Sequence, residues 1–447
     1  MLFIYLKRNV TEENGKITDY QFNKIENQEE TAMEKKNILI VDDSALMRRV
    51  ESDIIRSDER FQVLDTATNG LEAFDLVTRN SKKYDAVVLD INMPRMNGIE
   101  FLETLEKQRI RQKIIIVSTL AKDGAAETIR ALELGAFDYV TKPDSFVDAM
   151  SDAFKGKLLQ CLAYATGLAE DKAADLIKSV PKQEAKKEEE KMERKTVTPV
   201  KPATSAALTR PAAPAAPASR PSAAPAGFVS PMNPRAILSE TFEPRKPHRA
   251  VSGNAKRLIA IASSTGGPKA LQQVICKLPK NINAPVLIVQ HMSEGFTRSL
   301  ASRLNELSQV NVVEANGGEK LEKGKVYLAK GGSQMRVVKK GGEYVIDINT
   351  TEPARNGLKP CADIMMESLS ALDFDDITCV VLTGMGGDGT MGIRQLNEKN
   401  NIYVISQDEA TSTVYGMPKV VYEAGLTDIV KPLGQIAEEI IKNVGVQ

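Results

Sequence analysis

The chain has 447 residues, 59 basic and 59 acidic side chains, and a formal net charge of zero. A chain of this length exceeds what a single hydrophobic core usually supports, so we expect two or three domains. The balanced charge provides no basic field that would draw the protein to nucleic acid or anionic lipid, so neither is an expected partner. No apolar run approaches the roughly 18 to 20 residues of a membrane span, and we expect no insertion into a bilayer.

The cysteines indicate a reducing compartment. The chain contains four Cys, and no two of them form a C-x-x-C pair. This spacing predicts neither a disulfide framework nor a zinc site, and it is typical of free, buried thiols. We therefore expect a cytoplasmic protein.

Residues 1–35 carry no sign of a folded element. The opening segment MLFIYLKRNV is briefly apolar, but it lacks the basic start and the cleavage site of a signal peptide. The residues that follow are polar and without periodicity. We expect a disordered extension, or a start codon assigned too far upstream with Met33 as the natural beginning.

Residues 36–155 alternate short apolar runs with helical patterns. In the segment SALMRRVESDII, for example, Leu46, Val50 and Ile54 recur every four residues and would form one face of a helix. The apolar runs predicted as strands are NILIV, FQVLDTA, YDAVVL, KIIIVS and FDYVT. Strands that alternate with crossover helices predict an α/β domain with a doubly wound parallel sheet.

Acidic side chains follow two of these strands. Asp42 and Asp43 end the first strand and Asp90 ends the third, at the edge where the carboxyl ends of parallel strands meet. Carboxylates gathered there repel one another unless a hard cation joins them, and Mg²⁺ prefers such oxygen ligands. Lys142, after the fifth strand, and Ser118, at the end of the fourth, could neutralise and hydrogen-bond a phosphoryl group on Asp90. An Asp-Asp pair by itself is also common at helix N-caps, so the hypothesis depends on the combined set.

The segments ILIVDDS, VVLDINMPRMNGIEFL, IIIVST and GAFDYVTKP together resemble the receiver domain of two-component response regulators. The resemblance implies a flavodoxin-like fold in which Asp90 is the phosphoacceptor. It also implies that Asp43, Asp90 and the backbone carbonyl of Asn92 hold Mg²⁺ for the phosphorylation. The other positions to which it assigns a role are the metal-supporting Asp42, the switch hydroxyl Ser118, the rotating aromatic Tyr139 and the phosphate partner Lys142.

Residues 156–252 differ sharply in composition from the domain before them. A helical pattern runs from about residue 145 to 177, and it is followed by the charge run PKQEAKKEEEKMERK and by a segment of mostly Ala, Pro, Ser and Thr. Such a sequence cannot bury enough apolar surface to offset the entropy of its chain, so we expect a long disordered linker. A plain tether is favoured over a docking motif.

The alternation of strands and helices resumes in residues 253–447. The predicted strands are RLIAIA, APVLIVQ, GKVYLA, ITCVVLT and NIYVIS, and EYVIDINT after KKGG suggests an additional hairpin strand. These elements predict a second doubly wound parallel sheet, of Rossmann-like type. The predicted fold class is therefore α/β, with two such domains joined by the linker.

The turn after RLIAIA carries the hydroxyl residues Ser263, Ser264 and Thr265 ahead of the helix GPKALQQVICKL. All three are good N-cap residues, and capping is the simplest interpretation of this stretch alone. A phosphate cradle is a second possibility, although neither G-x-G-x-x-G nor G-x-x-x-x-G-K-[ST] is present. The third possibility is a serine nucleophile, which requires a base. The stretch by itself does not choose between Ser263 and Ser264.

A base and an acid for such a nucleophile follow two other strands. Of the two histidines in the chain, His248 lies in the linker and His291 ends the strand APVLIVQ, so His291 is the candidate base. Asp388, among glycines after ITCVVLT, is the candidate acid, although a tight turn also favours Asp. With Ser264 they predict a triad in which serine attacks, histidine moves the proton and aspartate holds the imidazole tautomer.

A tetrahedral intermediate at Ser264 would also need hydrogen-bond donors for its oxyanion. Backbone N–H groups near Met385, or in the turn from Thr265 to Gly267, would provide them. The glycines around Asp388 have no side chains, which lets backbone amides approach a substrate closely. The order Ser, His, Asp and the absence of G-x-S-x-G distinguish this set from the α/β-hydrolases.

The segments IASSTGGP, VLIVQHMSEGFTRSLASRL, VVLTGMGGDGTMG and STVYGMP resemble the catalytic domain of the chemotaxis protein-glutamate methylesterase family. The nucleophile, base and acid of that family correspond to Ser264, His291 and Asp388. The order of receiver, linker and esterase is also that of the family. Differences from the usual family pattern are Ala262 for glycine, Lys330 for proline and Gln334 for histidine.

The resemblance implies a phosphorylation-activated hydrolase that demethylates γ-glutamyl methyl esters on chemotaxis receptors, with deamidation of receptor glutamines as a second activity. It implies a chemotaxis histidine kinase as phosphodonor, no cofactor for ester hydrolysis, and sensory adaptation as the result. The unphosphorylated receiver would cover the catalytic face. Two alternatives are a phosphorylation-dependent binding module without catalysis and a nucleotide-dependent transferase that uses the Gly-rich turns.

Overall fold

The structure, a computed structural model of the chain, describes residues 34–119, 122–142, 151–168 and 246–447. The predicted extension up to residue 33 and linker residues 169–245 lie outside the described residues, as do parts of the helix predicted over 145–177. Two parallel sheets with flanking helices confirm the predicted α/β class with two doubly wound domains.

The first domain alternates strands and helices as predicted. Its strands are β1 (Lys36–Val41), β2 (Phe61–Ala67), β3 (Ala86–Asp90), β4 (Ile114–Ser118) and β5 (Asp138–Thr141). Its helices are α1 (Ala45–Arg56), α2 (Gly70–Arg79), α3 (Gly98–Lys107), α4 (Lys122–Glu133) and α5 (Asp152–Ala165). The strands form one parallel sheet in the order β2, β1, β3, β4, β5. In this flavodoxin-like order, ligands bind beyond the carboxyl ends of β1 and β3.

The helical face predicted for α1 is only partly correct. Val50 and Ile54 are buried, with 3% and 4% of their surfaces exposed, but Leu46 is 53% exposed. Met47 packs against the core in its place. A spacing of four residues exceeds the helical repeat of 3.6, so two such steps turn the side chain by roughly 80° away from the first.

The second domain contains a larger parallel sheet. Its strands are β6 (Arg257–Ser263), β7 (Val286–Gln290), β8 (Asn311–Glu314), β9 (Lys325–Leu328), β10 (Gln334–Lys340), β11 (Glu343–Asn349), β12 (Asp376–Val381), β13 (Ile402–Gln407) and β14 (Ile429–Lys431). Its helices are α6 (Gly267–Ile275), α7 (Phe296–Leu307), α8 (Ala362–Leu369), α9 (Thr390–Lys399), α10 (Met417–Glu423) and α11 (Leu433–Val444). The sheet order is β14, β13, β12, β6, β7, β9, β8, and β10 and β11 form a separate antiparallel hairpin.

The strand order of the second sheet reverses between β6 and β12. In an open parallel sheet, a ligand crevice forms beyond the carboxyl ends of the strands at this point. The five predicted sheet strands and the hairpin strand EYVIDINT are all present. Three strands were not predicted from the sequence: β8 and β14, which are short and lie at the two edges of the sheet, and β10.

The two domains contact each other at the carboxyl edge of the second sheet. Helix α4 of the first domain packs against α6 and α7 of the second. On the same side, Met385 and Val414 of the second domain share an apolar cluster with Phe154 and Leu158 of α5. The first domain therefore lies against the loops that surround the crevice.

Residues 246–249 lie at the opposite, amino-terminal edge of the second sheet. The backbone N–H of Lys246 donates to Asn397, and that of Arg249 donates to Asn401. These contacts place the segment that follows the linker on the second domain. None of the described helices combines the length and apolarity needed to cross a bilayer.

Candidate active site

The carboxyl ends of β6, β7 and β12 bring the three predicted triad residues to one crevice. Ser264 directly follows β6, His291 directly follows β7, and Asp388 comes a few residues after β12. The three side chains line a cleft of about 610 Å³. This placement agrees with the position expected for the ligand crevice, where the strand order reverses.

The structure distinguishes the two neighbouring serines. Ser263 is the last residue of β6 and is fully buried, and its hydroxyl donates to Gln290 Oε1 over 2.7 Å. Ser264 lies in the turn and lines the cleft together with His291. Because successive side chains of an extended segment point to opposite sides, only one of the two serines faces the cleft. Ser264 is the candidate nucleophile.

The capping interpretation of this turn is wrong. Helix α6 has its N-cap at Gly266, and no side chain accepts a hydrogen bond from its first turn. Gly266 has a φ of +77°, a conformation that favours glycine. The turn thus separates Ser264 from the helix, and within the described residues the Ser264 hydroxyl makes no hydrogen bond.

His291 is bound to Asp388 through one ring nitrogen. Its Nε2 lies 2.7 Å from Asp388 Oδ2, and both side chains are largely buried. A carboxylate can only accept a hydrogen bond, so Nε2 carries the proton in the neutral imidazole. The basic nitrogen is therefore Nδ1.

Three groups of the segment before and within α8 also donate to Asp388. Oδ1 accepts from Cys361 Sγ at 3.0 Å and from the backbone N–H of Asp363 at 2.9 Å, and Oδ2 accepts from the N–H of Ala362 at 2.6 Å. Burial alone would raise the pKa of Asp388, but His291 and these donors outweigh it and hold the pKa below its ordinary value. Asp388 is thus an ionised acid that fixes the imidazole.

Backbone donors for an oxyanion lie beside Ser264. Thr265 and Met385 line the cleft, and within the described residues their N–H groups donate to no protein acceptor. Gly384 precedes Met385 and allows this part of the loop to lie close to Ser264, because a Cβ on Gly384 would lie 2.7 Å from Ser264 Cβ. The N–H groups of Thr265 and Met385 are therefore the candidate donors for an oxyanion at Ser264.

His248 lies far from this cleft. Its Nε2 is 2.9 Å from Oδ1 of Asp376, the first residue of β12, and its ring packs at 5.0 Å from that of Tyr403. Asp376 begins the strand whose other end leads to Asp388. His248 thus anchors the segment after the linker and takes no part in the cleft.

The acidic pocket predicted for the first domain is present. One carboxylate oxygen from each of Asp42, Asp43 and Asp90 lies within 4.8 Å of the others. Lys142 Nζ lies 2.8 Å from Asp42 Oδ2 and 3.0 Å from Asp90 Oδ2. Burial raises the pKa of Asp90 above its ordinary value, and the charge of Lys142 opposes this. The all-oxygen donor set fits Mg²⁺.

Of the other first-domain residues to which the resemblance assigns a role, Tyr139 contacts the second domain. Asn92 is exposed just beyond β3, and Ser118 is buried at the end of β4. Tyr139 is buried, and its hydroxyl accepts a hydrogen bond from the N–H of Ser293 at 3.3 Å. Its ring lies 4.6 Å from that of Phe296, between centroids. Burial raises the pKa of Tyr139 to about 12.

Both domains match family models. The model described as CheB methylesterase matches residues 259–440, and the one described as response regulator receiver domain matches residues 38–151. A Pyrococcus abyssi protein named protein-glutamate methylesterase/protein-glutamine glutaminase is 34% identical over 410 residues, which are 92% of this chain and 94% of that protein. The chain belongs to the CheB methylesterase family.

Two further similarities accompany this assignment. A Bacillus subtilis protein with the same name is 36% identical over 405 residues, which are 90% of this chain and 97% of that protein. The crystal structure of the Thermotoga maritima CheB methylesterase catalytic domain is 38% identical, with a TM-score of 0.40, and the match covers 43% of this chain and 99% of that one.

Specific residue pairs join the two domains of the methylesterase, and none of these pairs was predicted from the sequence. Asp138 of β5 accepts a hydrogen bond from the Thr265 hydroxyl at 2.6 Å, next to the candidate nucleophile. Arg303 of α7 binds both carboxylate oxygens of Glu133 at the end of α4, at 2.7 and 3.2 Å. No local sequence pattern marks Asp138 or Glu133, because each partner lies in the other domain.

The residues that hydrogen-bond to Asp388 and hold it in place were also not predicted from the sequence. Cys361 and Asp363 belong to the segment PCADIMM, which the sequence analysis left without a role. Gln334, noted as a difference from the family pattern, is fully buried, and its Oε1 accepts the N–H of Cys361 at 2.9 Å. Position 334 thus belongs to the structural support of Asp388, the candidate triad acid.

Proposed function

We propose that the enzyme hydrolyses γ-glutamyl methyl esters on chemotaxis receptors, deamidates receptor glutamines, and is activated by phosphorylation of its receiver domain. The names of the relatives support the two activities. The receiver domain supports a histidine kinase as phosphodonor. The protein would act in the cytoplasm, where removal of methyl groups contributes to sensory adaptation.

Ser264 would attack the carbonyl carbon of the ester while His291 takes the hydroxyl proton. Since Nε2 of His291 faces the ionised Asp388, the proton goes to Nδ1. The C–O bond of the ester then breaks, His291 returns the proton to the departing oxygen, and methanol leaves an acyl-enzyme on Ser264. Water attacks this acyl-enzyme with the same proton transfers and releases glutamate. From glutamine, ammonia leaves in place of methanol.

The free N–H groups of Thr265 and Met385 would bind the oxyanion of both tetrahedral intermediates. Preorganised donors of this kind each contribute about 3 kcal/mol to stabilisation of the transition state. Asp138, Tyr139 and Lys157 of the receiver domain line the same cleft.

Control by the receiver is supported by its contacts with this cleft. The Asp138 contact with Thr265 touches the oxyanion turn, and the Tyr139 contact with Ser293 touches the loop after His291. In this state, receiver residues line the cleft and would restrict the entry of a receptor helix. The unphosphorylated protein would therefore be the less active form.

Phosphorylation would occur on Asp90. Asp43, Asp90 and the carbonyl of Asn92 would hold Mg²⁺, supported by Asp42, and its charge would offset that of the incoming phosphoryl group. Lys142, now bound to Asp42 and Asp90, would shift to a phosphoryl oxygen. The side chains of Ser118 and Tyr139 would then change position. Loss of the hydrogen bond between Ser293 and Tyr139 would weaken the interdomain interface.

The observation that carries the catalytic proposal is the placement of Ser264 in one cleft with a His291 that is hydrogen-bonded to Asp388. Methanol release from methylated receptor membranes tests it. Ser264→Ala should lower the rate by at least about 10⁴-fold. Ser263→Ala is the matched control: it loses a buried hydrogen bond of about 1 kcal/mol but leaves the nucleophile in place. A wild-type rate in Ser264→Ala would overturn the mechanism.

A further inference from the structure

Helices α8 and α9 are connected by two acids, each of which binds the N-terminus of the other helix. Asp388 precedes α9, and its carboxylate accepts from the N–H groups of Ala362 and Asp363 at the start of α8, at 2.6 and 2.9 Å. Asp363, in the first turn of α8, accepts from the N–H groups of Gly389 and Gly392 at the start of α9, at 2.9 and 2.8 Å. The two carboxyl groups thus cap each other's helices.

The packing around this exchange leaves little room for movement. Asp363 and Asp388 are 1% and 5% exposed. A Cβ on Gly392 would lie 2.6 Å from Cβ of Met366, so α8 and α9 are in close contact at this point. A buried N–H without an acceptor is costly, and Asp363 is the acceptor for two such groups in the turn that follows Asp388. Loss of the Asp363 oxygen would therefore displace that turn.

The pKa values of the two acids shift in opposite directions. Burial and the neighbouring Asp388 raise the pKa of Asp363 well above its ordinary value, whereas His291 and the backbone donors hold that of Asp388 below it. The side-chain amide of asparagine has a carbonyl oxygen that can accept the same two N–H groups as Asp363.

We propose that Asp363 is a positioning residue for ester hydrolysis, which fixes the turn that carries Asp388 so that Asp388 Oδ2 remains on His291 Nε2. The proposal rests on the function proposed above for the triad. Asp363 acts here through Asp388. Cys361 and Gln334 extend the support, since Gln334 holds the N–H of Cys361 and the Cys361 thiol donates to Asp388.

The test compares variants of the full-length enzyme at position 363 in the methanol-release assay. Asp363→Asn keeps an acceptor oxygen at the same reach, Asp363→Ser keeps an acceptor of shorter reach, and Asp363→Ala removes the acceptor. Glu367→Gln is the matched control on α8, because Glu367 lies in the same helix and its carboxylate pairs with Arg355. Ser264→Ala is assayed in parallel, and thermal unfolding shows whether each variant is folded at the assay temperature.

We expect a graded loss of kcat with KM unchanged within about twofold. Asp363→Ala should lose about 100-fold in kcat, the effect expected from a displacement of about 1 Å at a catalytic group. Asp363→Ser should lose about 10-fold in kcat. If the Ala variant does not fold, the Ser variant is compared with the wild type in its place. Asp363→Asn should stay within about threefold of the wild type, and Glu367→Gln within about twofold.

A spectroscopic measurement adds a readout that a general loss of stability would not change selectively. Because the chain has two histidines, ¹⁵N-histidine labelling gives ring-nitrogen signals from two imidazoles. In Asp363→Ser, the Nε2–H signal of His291 should shift while that of His248 stays in place. Wild-type kcat in Asp363→Ser, or equal losses in the Asn and Ser variants, would overturn the positioning role. A wild-type rate in Ser264→Ala would instead overturn the function on which it rests.

Discussion

Asp138 of the receiver domain accepts a 2.6 Å hydrogen bond from the hydroxyl of Thr265, the residue next to the candidate nucleophile, and both side chains are buried. Asp138 opens strand β5, which also carries Tyr139 and leads directly to Lys142. One strand thus connects the acidic pocket of the receiver with the turn of the esterase that carries Ser264 and Thr265. A movement of β5 on phosphorylation would act directly on the catalytic cleft.

Loss of the Asp138 carboxylate should release part of this restraint. We expect Asp138→Ala to raise methanol release by the unphosphorylated enzyme about 3- to 10-fold, because a buried hydrogen bond of about 1 kcal/mol no longer favours the closed arrangement. The rate with a small-molecule phosphodonor should change less. If the unphosphorylated rate stays at the wild-type level, this contact does not restrain the enzyme.

The ion pair between Glu133 and Arg303 lies in the interdomain interface, away from the cleft. Its removal tests whether the interface controls activity. Glu133→Ala should also raise the unphosphorylated rate, by about 2- to 5-fold, because a partly buried charged hydrogen-bond pair across the interface is lost. Glu103→Ala is its control, since Glu103 pairs with Arg130 within the receiver domain. Equal rates in the two variants would show that the interface does not control activity.

The two histidines should respond differently to substitution. His291→Ala should lower kcat by about 10⁴-fold or more, because the serine loses its base. His248→Ala should keep kcat, but it leaves the buried Asp376 with fewer partners and should lower the melting temperature by a few degrees. Melting curves and methanol release measured on the same samples separate the two effects. A large loss of kcat in His248→Ala would contradict the assignment of the base.

Phosphorylation should depend on Asp90 and on a divalent cation. We expect Asp90→Asn to keep the unphosphorylated rate and to lose activation by a phosphodonor. Chelation of Mg²⁺ should abolish activation of the wild type without changing its basal rate, since the ester hydrolysis proposed here uses no metal. Phosphate incorporation and methanol release, measured together, test both statements. Activation of Asp90→Asn to the wild-type level would contradict the assigned phosphoacceptor.

The local sequence was sufficient for the fold class and for the types of residue at the strand ends. Apolar runs and helical patterns are local properties, so they identified the central strands of both sheets. They failed for the edge strands β8 and β14, which are short and partly exposed, and for Leu46, where a spacing of four departs from the helical repeat.

The sequence by itself determined that Ser264, His291 and Asp388 follow three strands of one sheet, because parallel strands end at a common edge whatever packs around them. Only the tertiary structure decided that Ser263 is buried, that Asp363 supports the turn of Asp388, and that Asp138 reaches Thr265. Each of these depends on groups that are distant in the chain and meet only when helices and domains pack. A hydrogen bond of that kind leaves no periodic pattern in the sequence around either partner.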